Sequence, residues 1–167
     1  MVVMPLHVAM LEPKTPGIMG DVAKRCAAVD ASLHLVSPAF AADDAEFVGA
    51  GPTDWNALDW WVHPMWRDFR DAMSRERCLY FSADSDRDPV DAPFKANSVL
   101  VFGTEELALP DKIRDKYPDR VYGLPRAAKR KEADPAAAVE LTLKFASQRI
   151  APRAEGAAPK SRRGPRR

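Results

Sequence analysis

The stretch "NSVLVFGTEELALP", residues 97–110, sets a valine-rich apolar run, a glycine and the carboxylates Glu105 and Glu106 within a few positions of one another. An apolar run this short, closed by Gly103, reads as a strand buried on both faces inside a parallel sheet. Ligands of such sheets bind just past the carboxyl ends of the strands. Gly103 therefore marks the first place to look for a site, with a strand followed by a plain turn as the alternative. A second chemical group is basic: "RAAKRK", residues 126–131, can meet a nucleic-acid backbone or stand as a solvated charge run. The aromatic stretch "DWNALDWWVHPMW", residues 54–66, offers Trp55, Trp60 and Trp61 either to unpaired bases or to a core or interface. Cys26 and Cys78 lie far apart with no CxxC spacing, the pattern of buried reduced thiols. His7, His34 and His63 are scattered, which leaves no zinc-ligand cluster and no metal site to expect.

The elements that would position these groups follow from composition and periodicity. At 167 residues and 46% hydrophobic the chain is long enough for one domain with a proper core. "LHVAML" (6–11), "LHLVSP" (33–38), "CLYFSA" (78–83), "SVLVFG" (98–103) and the short "RVYGLP" (120–125) read as strands. Helices are expected from about Asp21, over 66–76, and in "DPAAAVELTLKFASQR", where Asp134 is a strong N-cap and Pro135 fits the first turn. Ala138, Leu141 and Phe145 would line its core-facing side, with Lys144 and Gln148 toward water. Strands separated by helices, without tight hairpin signals, indicate an α/β fold: a mostly parallel sheet with helices on both faces.

Charge is unevenly placed. The net charge is +1, yet residues 153–167 hold six Arg or Lys against one Glu, so residues 1–152 carry 19 positive and 23 negative groups. The expected organisation is a domain over 1–152 and a disordered basic tail over 153–167, either a solubilising device or a tether for RNA or DNA. No window approaches the ~18 apolar residues of a membrane span, and the start lacks a secretory signal pattern. A soluble, intracellular, cytoplasmic protein without a membrane partner is the expectation.

Four segments, "LEPKTPGIMGDVAKRCAAVDASLHLVSP", "FGTEELALP", "YGLP" and "EADPAAAVELTLKFA", fall in the order and spacing of a SPOUT-type RNA methyltransferase. The chain most resembles the small tRNA ribose 2′-O-methyltransferases that act at the wobble cytidine or uridine, over roughly residues 6–149. "GAGPTDW" (49–55) also resembles a family segment. The resemblance implies a C-terminal trefoil knot holding S-adenosylmethionine, a homodimer or a heterodimer with a related subunit, and RNA, tRNA or rRNA, as substrate. Phe81, Gly103 and Leu124 match cofactor-contacting positions, and Glu132 falls where the family places a serine beside the ligand. Ile18 and Lys24 replace an asparagine and an arginine of the first motif, Thr104 and Leu107 a proline and an arginine of the second, and Asp134 the asparagine of the third. Lys24 or the adjacent Arg25 would take the basic role and Glu105 would help fix the active-site loop. Lys24 has an ordinary surface lysine as its plainer reading. These replacements keep a second function open, a catalytically inactive SPOUT-fold RNA-binding or ribosome-assembly factor.

Overall fold

Residues with apolar side chains on two sides cannot lie at a solvated surface, and this chain resolves the constraint with one six-stranded sheet clad on both faces. The computed structural model describes residues 6–103, 107–131 and 133–157. The strands are β1 (His7–Leu11), β2 (Ser32–Val36), β3 (Trp60–His63), β4 (Cys78–Phe81), β5 (Val99–Phe102) and β6 (Val121–Tyr122). Their order is β3-β2-β1-β5-β4-β6, and every pairing is parallel. The helices are α1 (Pro16–Ala28), α2 (Ala45–Ala50), α3 (Trp66–Ala72), α4 (Asp111–Lys116), α5 (Arg126–Lys129) and α6 (Pro135–Ala157).

Successive strand residues face opposite layers. Met10, Leu35, Phe81 and Phe102 join the core beneath α1 and α6, while Leu11, Val36, Tyr80 and Val101 join a second core with Phe69 of α3 and Ile113 of α4. Both faces being covered explains why the strands read as continuous apolar runs instead of alternating ones. β1, β4 and β5 fall inside their expected ranges. β2 begins one residue early, at Ser32, and β6 contracts to two residues.

α1 begins at Pro16, ahead of the expected Asp21, because proline is at ease in a first helical turn. Gly20 then has a packing reason: a Cβ there would lie 2.5 Å from the Phe47 carbonyl oxygen of α2. α3 ends at Ala72, short of the expected Glu76. β3 forms inside the aromatic stretch, with Trp55 and Trp60 packed around Phe47 and Trp61 left 46% exposed. At α6 the Asp134 carboxylate accepts from Ala137 N at 3.3 Å, as the cap requires. Its buried stripe is Val139, Leu143, Ala146 and Ile150, so Leu141 and Phe145 sit at the margin of that stripe, while Ala138 is fully buried. α6 runs to Ala157; the rest of the basic tail, residues 158–167, lies outside the described residues. Among the described residues no helix is long and apolar enough to cross a membrane.

Candidate active site

The sheet reverses direction between β1 and β5: β2 and β3 are added on one side, β4 and β6 on the other. Such a reversal opens a crevice at the carboxyl ends, because the connections on its two sides diverge. Left-handed backbone occurs at both edges of the sheet, at Asp30 and Asn97 ahead of β2 and β5 and at three residues of the carboxyl edge. Glu12, Ser37 and Leu107, all non-glycine, have φ of 52°, 51° and 57°, a left-handed conformation that costs roughly 1–2 kcal/mol each and clusters at functional sites. The surrounding hydrogen bonds enforce it: Glu12 N donates to Val36 O at 2.7 Å, Ser37 N to His63 O at 2.8 Å, and Ala83 N to Leu107 O at 2.8 Å.

Three of the expected cofactor positions converge on neighbouring strand ends. Phe81 closes β4, is fully buried and stacks on Phe102 at 5.7 Å. Gly103 follows β5, and Leu124 follows β6 with 5% of its surface exposed. The loops interlock through main chain, with Ser82 N donating to Tyr122 O at 2.9 Å and Gly123 N to Arg87 O at 2.7 Å. Gly103 is demanded by the return of its own loop, since a Cβ would lie 1.8 Å from the Ala108 carbonyl oxygen. Beside Leu124 opens a cleft of about 490 Å³, within the ~300–1,000 Å³ of small-molecule sites. Its floor is Leu124, Pro89, Val90 and Phe145, and Arg126, Lys129 and Arg130 stand at its rim. Lys129 Nζ donates to Ala83 O at 2.8 Å, tying α5 to the loop after β4. Asp88 lines the cleft as well, so an apolar floor meets side chains of both charges.

Lys24 and Arg25 lie elsewhere. α1 starts at the carboxyl edge, so they sit about 12 Å down its axis. Lys24 is exposed. Arg25 reaches Asp21 Oδ1 at 3.2 Å and Glu140 Oε1 at 2.7 Å, clamping α1 to α6. Partial burial pulls against its charge, but the hydrogen bonds to Asp21 and Glu140 outweigh it and hold its pKa above the ordinary value. Glu105 and Glu132 lie outside the described residues.

Two clusters had no sequence signal. Ser82 Oγ donates to Asp84 Oδ1, which also takes Arg114 Nη1 at 2.6 Å; the Ser82 hydroxyl first, then Arg114, holds the Asp84 carboxyl below its usual range. His7, His34 and His63 meet on the second face of the sheet. Their separations of 27 and 29 residues acquire meaning only through strand register.

Fold and site together define an α/β protein with an all-parallel sheet, a reversal of strand order between β1 and β5, and a cleft beside the end of β6. The chain belongs to the SpoU rRNA methylase family, which matches residues 5–129. A tRNA (cytidine(34)-2′-O)-methyltransferase from Methylovorus glucosotrophus is 28% identical over 120 residues, 71% of this chain and 78% of that protein. A solved structure bearing on the 2-OH methylation of C/U34 on tRNA is similar at a TM-score of 0.76 and 25% identity, covering 88% of this chain and 97% of the other. The fold is also that of an AdoMet-bound rRNA methyltransferase from Sinorhizobium meliloti, at a TM-score of 0.71 and 20% identity over 86% of this chain and 56% of that one.

Proposed function

We propose that this protein is an S-adenosylmethionine-dependent tRNA ribose 2′-O-methyltransferase acting at the wobble cytidine or uridine, and that it works in the cytoplasm, where its tRNA is found. The convergence of Phe81, Gly103 and Leu124 at adjacent strand ends carries the reading, since family membership brings methyl transfer and this edge supplies a place for it. S-adenosylmethionine supplies an electrophilic methyl group when bound. The main chain around 81–83, 103 and 123–124 would hold it, with Glu132 assigned beside it and Leu124 and Phe145 giving an apolar wall. Main-chain contacts survive side-chain replacement, which favours retention of cofactor binding in a chain whose motif side chains have changed.

The catalytic assignments follow from proton affinity. Arg25, held between two carboxylates, keeps its proton and clamps α1 to α6, which leaves it unsuited to act as the base. Lys24 is left as the group whose neutral Nζ would take the 2′-hydroxyl proton, and Glu105 as the residue fixing the loop after Gly103. A lysine becomes a base when desolvation lowers its pKa. Lys24 sits one turn beyond Gly20 on α1 and would be desolvated by a second subunit laid over that surface, so we infer a dimer, homodimeric or with a related chain, in which Lys24 serves the facing site. We also propose the trefoil knot, with the segment leading from β6 into α6 threaded through the loop after β4. The bonds Ser82–Tyr122 and Gly123–Arg87 support that path. An experimentally traced main chain running past that loop without entering it would remove the knot.

The test of function is transfer of a tritiated methyl group from S-adenosylmethionine to tRNA transcripts, followed by mapping of nucleotide 34 through its resistance to alkaline cleavage. Label at that ribose is expected. Binding of tRNA with no transfer, even with a related subunit added, would leave the RNA-binding factor as the function.

A further inference from the structure

The sheet face away from the cleft carries a chain of imidazoles. His7 Nδ1 lies 3.1 Å from His34 Nε2, and His34 Nδ1 lies 3.0 Å from His63 Nε2, so the rings link β1, β2 and the edge strand β3. His34 is 1% and His63 9% exposed. Trp61 stacks on His34 at 4.8 Å, and Phe69 of α3 meets the rings of His34 and His63 edge-on. Among the described residues no group of three or more His, Cys, Asp or Glu is placed to hold a metal ion, and His34 spends both its nitrogens on its neighbours. The rings are thus a hydrogen-bond ladder.

Proton counting limits what the ladder can hold. Each nitrogen–nitrogen bond takes one proton, and a neutral imidazole has one to give. With three neutral rings, His34 donates to one neighbour and accepts from the other, so all three must share a tautomer, all Nδ1–H or all Nε2–H. One added proton is accommodated, because each of the two outer nitrogens and each of the two bonds then carries one. A second finds every place filled and forces two N–H groups to face each other. Chain separation cannot relieve this while the strands stay paired.

We propose that the His7–His34–His63 ladder is a one-proton latch that fastens the β3–α3 margin to the sheet and releases it in acid. β3 is an edge strand, bonded to β2 alone and carrying the exposed Trp61 and Val62. The charges around the ladder are arranged along it. Asp59, in the turn before β3, favours a proton on His7, while Arg77, ahead of β4, opposes one on His7 and His34. Asp68 of α3 favours one on His63. The one tolerated proton therefore belongs at an end of the ladder, and the second meets Arg77 and a charged neighbour together. An opened margin takes up to three protons and a closed one takes at most one, so acid shifts the balance toward opening.

Two measurements on the full-length protein decide this. Long-range proton–nitrogen correlation spectra of the imidazoles at pH 8 are expected to give one common tautomer, or one common average, for all three rings; unlike tautomers would overturn the ladder. Amide hydrogen exchange, corrected for intrinsic rates, should lose at least ~10-fold protection in β3 and α3 between pH 7.5 and 5.5, and at both pH values these elements should exchange faster than β5, which opens only on global unfolding. His34→Phe should abolish that dependence, and His63→Gln, which keeps a hydrogen-bonding group without a titrating one, should reduce it if the phenylalanine variant does not fold. Protection in β3 equal to that in β5, protection in β3 that does not change with pH, or an unchanged dependence in the variants would overturn the latch.

Discussion

The adjacent cations Lys24 and Arg25 look interchangeable in the sequence and part company in three dimensions. Arg25 spans Asp21 and Glu140, whereas Lys24 is exposed. Lys24→Ala is expected to lower methyl transfer at least ~100-fold with S-adenosylmethionine affinity unchanged, the signature of a lost base. Arg25→Ala should lower stability by about 1 kcal/mol, since it removes two partly exposed pairs and leaves Glu140 with Lys144 of its own helix; urea midpoints and single-turnover transfer rates separate the two outcomes. The histidines make a second residue-scale prediction. Burial first, then the neighbouring rings and Arg77, lowers the His34 pKa to about 3 from an ordinary 6.5. The unfolded chain therefore binds more protons below pH 6.5, so stability is complete above that pH and falls as pH drops toward 3. A single such histidine costs about 1.4 kcal/mol per pH unit within the window. Urea midpoints should decline between pH 7 and 5 in the wild type and much less in His34→Phe.

At the scale of elements, legibility followed burial. β1, β2, β4 and β5 were readable because a strand covered on both faces is an uninterrupted apolar run, and α6 because Asp134 and Pro135 announce its start. β3 was not, since Trp60 enters the core while Trp61 and Val62 remain exposed, a composition that an aromatic loop shares. The short helices α2 and α4 carry one buried apolar residue each, Phe47 and Ile113, too few to show a period. That Phe81, Gly103 and Leu124 fall at neighbouring strand ends was legible, the glycine from its strand and the other two from the family resemblance, whereas the histidine ladder depends on register alone. Gly103 has a packing reason of its own. Its missing side chain makes room for Ala108 of its own loop, so Gly103→Ala should destabilise the fold by about 1–3 kcal/mol as overpacking does. Thermal unfolding without ligand reads this directly. A variant with unchanged Tm and lost cofactor affinity would instead assign the space to the ligand.

Over the whole molecule the balance of charge matters more than its sum. Residues 1–152 carry more acid than base, and the end of the chain reverses the sign. Cations beside the cleft, Arg126, Lys129 and Arg130, place positive charge at the proposed site, but Lys129 is partly committed to Ala83. A tRNA extends well beyond this cleft, and the basic tail is suited to follow its backbone without regard to sequence. Truncation should respect α6, which continues to Ala157. Deleting 158–167 removes five of the tail's six cations and spares the helix. If those cations neutralise phosphates, affinity for tRNA should fall, and the slope of log affinity against log salt should become shallower by up to roughly 4. Transfer at saturating tRNA should be unchanged, because contacts equally strong in the ground and transition states alter binding without altering turnover. An unchanged salt slope would make the tail a solubilising segment; a fall in turnover at saturation would place it at the reacting nucleotide.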